Sequence, residues 1–390
     1  SLINNNTNNT SKKRIHSFDS LRAIMMLLGL VVHSAITYGI YEDLGSWPIR
    51  DSITHLSNDF IVNLIHSFRM QIFFLVSGFF GSMLFYDRNP FTMIKNRINR
   101  IIFPFIVFMT LLWPIIVFGF GYSMLVFSGQ SNPLEAIASF FTGIDMLIPK
   151  LTFHLWFLYY LSLITTATII LAYLLAKTPK ISKYILLNFN RIMTHSLLRI
   201  LIFASITATI YYILGTWSVF TSISFIPDFN MFMYYSSFYL MGWILYKSKS
   251  LLYSFSKHDL FITLIGIILF TLYFFTNETY NFLTHVIIKS IIVWLFIFGI
   301  TGLFIRYASK YSVIMRYLSD ASYWVYLIHM PFTAIIPGLI SEWRMPATLK
   351  FLFVFITTSV ICFLSYHFMV RDTFIGKFLN GRKYSKKLSR

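Results

Sequence analysis

Ten long apolar runs follow one another between residues 20 and 370, and they constrain the fold more than any other feature of the chain. Their approximate limits are 20–40, 60–86, 101–127, 154–176, 197–216, 231–247, 259–276, 284–305, 319–340 and 347–370. A hydrocarbon core ~30 Å thick is crossed by roughly 20 residues of helix. The runs are continuous and do not alternate, which favours helices over a barrel. Charged residues make up 12% of the chain, against about 25% in a soluble domain, too few to cover a water-exposed surface of this size. The pattern predicts an all-α polytopic membrane protein, a bundle of about ten transmembrane helices. The apolar segment 134–149 is too short to span and ends at Pro149, so a periplasmic interfacial helix is expected there. The first run is too long for a signal peptide and lacks a small-residue cleavage site, so it is expected to remain as a signal anchor.

The charges set the expected orientation. With Lys12, Lys13 and Arg14 inside, these three, alternate loops and the C-terminal tail together hold 25 cations, and the opposite loops hold five. That is a strong positive-inside bias, and it puts both termini in the cytosol. The net charge of +18 therefore orients helices, and nucleic acid is excluded as a partner. Residues 1–14 are expected to be a mobile tail and 15–371 the transmembrane domain. Residues 372–390 are expected to form a basic tail that anchors at the membrane surface. Cys362 is the single cysteine, so no internal disulfide can form.

Ionisable groups within spans are costly and mark functional candidates. Arg22 and His33 are eleven residues apart in the first run, within about 20° of one helix face and about 16 Å apart along the axis. Arg22 then lies near the cytosolic surface and His33 deep, towards the periplasm. Asp19, one turn before Arg22, is placed to pair with it. A cytosolic anion held at Arg22 could extend to His33, where an imidazole could take a proton from an acceptor hydroxyl. The alternative is a structural histidine with Arg22 snorkelling to the interface.

In the second run His66 and Arg69 share a face. Arg69 is expected at the depth of His33, able to stabilise an oxyanion or hold an anionic acyl group, with an internal salt bridge as the alternative. Ser77 and Gly78 allow a close helix approach. Arg97 and Arg100 form a membrane-proximal pair that could grip phosphates, although arginines are expected in inside loops. His154 opens the fourth run among interfacial aromatics. Tyr323 and His329 lie in SYWVYLIHMPF, where Pro331 suggests a bend lining a cavity. No HExxH, paired cysteines, phosphate loop or GxSxG occurs, so no metal site is expected.

Five segments in order, FDSLRAIMMLLGLVVH, IHSFRMQIFFLVSGFF, KNRINRIIFP, HLWFLYYL and SYWVYLIHMPF, resemble the membrane-bound acyltransferase family three. SFRMQ and HLWFL resemble its periplasmic-glucan succinyltransferase branch in particular. The resemblance covers residues 14 to 370. It implies an enzyme of the bacterial inner membrane that takes an acyl group from cytosolic acyl-coenzyme A, succinyl in preference to acetyl, with no permanently bound cofactor. The acceptor it implies is a hydroxyl of an osmoregulated periplasmic glucan, with another cell-surface polysaccharide or lipid-linked glycan as the alternative. Carried over, His33 would be the catalytic histidine, and Arg22, Arg97 and Arg100 would assist the donor. Arg69, placed with His33 by its depth, His154 and His329 fall in matching motifs, and Asp19, His66, Ser77, His154, Tyr323 and His329 are the further candidates for lining the site. Some relatives carry an extracellular esterase-like domain, and this chain is expected to act without one. A transporter or flippase is the rival class, and a non-catalytic partner of a glycan assembly machine a third.

Overall fold

A computed structural model describes residues 15–41 and 46–386. The tail expected in residues 1–14 lies outside the described residues. The chain forms α1 (His16–Ala35), α2 (Leu56–His66), α3 (Arg69–Asp87), α4 (Pro90–Arg97) and α5 (Phe103–Phe127). There follow α6 (Pro133–Phe140), α7 (Trp156–Ala176), α8 (Pro179–Met193), α9 (Ser196–Leu214) and α10 (Phe229–Lys247). The last five are α11 (Asp259–Thr276), α12 (Phe282–Tyr307), α13 (Val313–Leu339), α14 (Ala347–Ser365) and α15 (Phe374–Asn380). Among the described residues the one extended pairing is an isolated bridge between Leu151 and Ser224.

Local sequence explains many of the boundaries. Proline occupies the first turn of α4, α6 and α8, where its missing N–H costs nothing. The side chains of Asn89, Asp228, Asn281 and Ser312 cap α4, α10, α12 and α13. Gly215 ends α9 at φ +67°, a conformation that costs glycine no steric penalty.

All ten apolar runs are helical. Eight lie in helical segments long and apolar enough to cross a bilayer. The other two, 231–247 and 319–340, fall on α10 (19 residues) and α13 (27 residues). α10 is rich in tyrosine, and α13 carries Arg316, Asp320, His329 and two prolines, which lowers their mean hydropathy. Many of these polar groups are turned inward: Tyr234, Tyr235, Tyr239, Asp320 and His329 are all buried. Three further departures are local. The run 60–86 is interrupted at Ser67 and Phe68, between α2 and α3. Within 134–149 the helix is the eight-residue α6, followed by a 3-10 turn, Ile144–Leu147. The basic loop 177–199 contains α8, which buries only Phe189 and Met193.

The most extensive packing is between α3 and α10, α11 and α12, α1 and α13, and α5 and α13. The α3–α10 contact depends on reciprocal glycines. A Cβ at Gly78 would strike the Tyr239 carbonyl, and one at Gly242 would strike that of Leu75. This is the small-residue approach expected at Ser77-Gly78. Cys362 is buried in α14.

Candidate active site

His33 lies in the last turn of α1 and lines a cavity of about 520 Å³. Its Nδ1 is 2.7 Å from Nε2 of His329, and the rings are within 8° of parallel with centroids 5.0 Å apart. The two imidazoles are therefore joined edge to edge. On the other side of His329, Nδ1 is 2.7 Å from the Tyr326 carbonyl and 3.2 Å from that of Val325. A carbonyl only accepts, so His329 carries its proton on Nδ1 and accepts at Nε2. Neutral His33 must then donate from Nδ1, which leaves its Nε2 lone pair free. Among the described residues Nε2 has no hydrogen-bond partner, and it is not among the occluded polar atoms. The network thus leaves an accessible base at the cavity wall.

Pro331 explains why α13 presents His329 here. Proline has no N–H and cannot bond the carbonyl four residues back, that of Leu327. His154 supplies the missing donor, with Nε2 2.8 Å from the Leu327 oxygen. In return Tyr326 Oη donates to the His154 carbonyl at 2.7 Å. His154 lines the cavity, but its Nε2 proton is committed to holding the bend.

Arg69 is the first residue of α3, so its charge adds to the positive end of the helix dipole. It is 7% exposed, and its guanidinium lies on Gly29, one turn from His33, where a Cβ would collide with Nη1. Among the described residues no carboxylate pairs with it, and Nε is buried without a partner. His33 and Arg69 line the same cavity, as their depths suggested, with His66 exposed at the α2 end of the helix break. Two contributors were not singled out from sequence. Lys289 lines the cavity from α12, and a cation just inside an apolar run was the signal for it. Trp47 lies parallel to His33 with centroids 5.3 Å apart and donates from Nε1 to Thr37. Its loop is tied down by Asp51, whose carboxylate pairs with Lys350 at 2.9 Å, both side chains fully buried. Breaking such a pair costs about 3–5 kcal/mol.

The remaining candidates gather around a second cavity of about 1030 Å³. Arg22 pairs with Asp19 at 3.3 Å and lies over Phe80. Arg97 donates to the Ser77 carbonyl at 3.4 Å. Arg97 precedes a π-helical turn, Ile98–Ile102, and Arg100 lies within it, just before Pro104. Pro104 cannot bond the Arg100 carbonyl, and Tyr323 Oη donates to it instead at 2.6 Å. Arg88, Lys249, Arg316 and Arg382 add further cations to the wall. The C-terminal segment, expected to be a surface anchor, folds back here. Gly381, at φ +79°, packs on the Arg100 guanidinium, and Tyr384 accepts from Arg316 at 2.7 Å. Hydrophobic pattern carries little information about such a tail, and GRKY was its only hint.

The site residues thus divide into two groups at different levels of the same helices. His33, His66, Arg69 and His154 line one cavity, with His329 behind His33. Asp19, Arg22, Ser77, Arg97, Arg100 and Tyr323 line the other. Among the described residues no group of three or more His, Cys, Asp or Glu is arranged to hold a metal ion.

Comparison with known proteins bears on the chemistry. The family model described as "Acyltransferase domain" matches residues 15–367. The glucans biosynthesis protein C of Salmonella paratyphi B (strain ATCC BAA-1250 / SPB7) is 25% identical over 400 residues, covering 97% of both chains. That of Salmonella paratyphi A is 24% identical over 389 residues, again covering 97% of each. No solved structure matches. A match across nearly the whole described bundle, motifs included, settles the family: the chain belongs to the membrane-bound acyltransferase family three.

Proposed function

We propose that this protein transfers an acyl group, succinyl in preference to acetyl, from cytosolic acyl-coenzyme A to a hydroxyl of an osmoregulated periplasmic glucan. In this reading it spans the bacterial inner membrane ten times with both termini in the cytosol. The cation-lined cavity takes the coenzyme A phosphates, and the histidine cavity opens to the periplasm. The observation that carries the reading is an unpaired, buried guanidinium beside an accessible imidazole lone pair. A buried charge without a partner is costly, and an oxyanion or an acyl carboxylate would satisfy it.

The chemistry follows from the protonation states. The glycan oxygen attacks the thioester carbonyl while its proton passes to His33 Nε2. The resulting imidazolium strengthens its Nδ1–H bond to His329, which the Tyr326 carbonyl holds in the accepting tautomer. Arg69 balances the tetrahedral oxyanion. Collapse breaks the C–S bond, the proton on His33 passes to the departing thiolate, and free coenzyme A and the glycan ester are formed. An acyl-histidine route would use the same nitrogen, and acid-quenched protein carrying no label would exclude it. The test is transfer of label from succinyl- and acetyl-coenzyme A to periplasmic glucan, wild type beside His33→Ala. The variant is expected to lose about 10²–10⁴-fold in kcat with normal folding. Undiminished transfer by His33→Ala would reject the mechanism. No transfer or thioester hydrolysis by wild type, with any glycan, would favour a transporter.

A further inference from the structure

The two cavities share no lining residue, yet the same helices wall both. On α1, Met26 faces the cation-lined cavity, and three residues on Gly29 lies under the Arg69 guanidinium. On α3, Arg69 lines the histidine cavity and Phe73 the other. In the 3-10 turn just before α7, His154 lines the histidine cavity, and Phe157 in the first turn of α7 lines the other. Closer still, Gln71 and Phe73 on α3, and Trp156 and Phe157 on α7, line opposite cavities, so a thin layer of side chains divides the two. An aromatic pair closes it from the donor side. The rings of Phe73 and Phe157 meet at 78° with centroids 4.4 Å apart, and the two residues are 5% and 3% exposed.

We propose that Phe73 sets the width of acyl group the enzyme accepts. The inference rests on the acyl-transfer reading above, in which the donor must bring its acyl end through this partition to His33. Of the two rings, Phe157 also packs against Phe74, with centroids 4.9 Å apart. Both rings border the larger cavity, and Phe73, which lacks that second ring contact, is the one that rotates into the space to open a slot. The unbranched, adaptable side chain of Met26 lines the same cavity. Such a slot passes a linear chain. An acyl group branched beside its carbonyl, or an aromatic one, would have to displace Phe157 as well. No bond is made or broken in the passage. Phe73 acts by selecting which donors reach the base.

The test measures kcat/KM for the linear donor that wild type uses best, for isobutyryl-coenzyme A and for benzoyl-coenzyme A. Wild type is compared with Phe73→Ala and with the more conservative Phe73→Leu. The linear-over-branched ratio is expected to fall about tenfold or more in Phe73→Ala, the scale that a methylene or two commands in a shape-selective pocket. A smaller fall is expected in Phe73→Leu, with affinity for free coenzyme A unchanged in both. An unchanged ratio in variants that still use the linear donor overturns the proposal. So does loss of the linear donor's transfer in both variants with folding intact. Should Phe73→Ala fail to fold, Phe73→Leu decides. A wild-type protein inactive with every donor would remove the acyl-transfer reading itself, a different result from active variants with unaltered selectivity.

Discussion

Arg69 shows what a single residue contributes to this site and what it costs. Its guanidinium is buried, no carboxylate pairs with it among the described residues, and Nε lacks any partner. Evolution tolerates such a group where its charge is used, and the fold carries the cost. Replacing it by an apolar residue of similar length should relieve the fold and disable the chemistry. Arg69→Met is expected to leave the melting temperature in detergent unchanged or raise it, while acyl transfer falls about 10²-fold or more, as when an oxyanion donor is lost. A variant both less stable and fully active would contradict the assignment. At this scale the sequence was informative where a charge interrupts an apolar run: Arg22, His33, Arg69 and His329 were all visible that way. It was silent on Gly29 and Trp47, because a glycine and an aromatic are ordinary inside a membrane helix. Only the fold shows that one makes room for a guanidinium and the other faces an imidazole.

Among the elements, two prolines perform the same operation at opposite cavities. Pro331 frees the Leu327 carbonyl and His154 occupies it. Pro104 frees the Arg100 carbonyl and Tyr323 occupies it. In each case a helix defect is converted into a tertiary hydrogen bond that fixes a functional residue. Tyr323→Phe strands the Arg100 carbonyl, at about 1–3 kcal/mol if it stays buried, and loosens the turn between Arg97 and Arg100. The expected result is a several-fold rise in KM for the acyl donor with kcat little changed. A fall in kcat with KM unaltered would mean that Tyr323 acts elsewhere. The prolines were legible and a bend at Pro331 was expected, but the partners were not, because a side chain 173 or 223 residues away leaves no trace in local pattern. The same reasoning explains α10 and α13. Their apolar runs were recognised, but their hydropathy is lowered by groups that face neighbouring helices.

The whole molecule is a helical bundle that holds two cavities one above the other on α1, α3, α13 and the start of α7. Charge bias and apolar runs were enough to anticipate the bundle and the separation of a cation-rich end from a histidine-rich level. They did not reveal the fold-back of α15 and Tyr384, since a short basic tail has no periodicity to read. Two cavities divided by a thin layer of side chains suit a reaction whose donor and acceptor never occupy the same compartment. Sided reconstitution tests this central claim most directly. Proteoliposomes of known orientation would receive labelled acyl-coenzyme A on one face and glucan on the other. Label is expected on the glucan only when the donor is on the face of Arg97 and Arg100, and not with His33→Ala. Transfer that requires donor and glucan on the same face, or that persists without His33, would contradict the account.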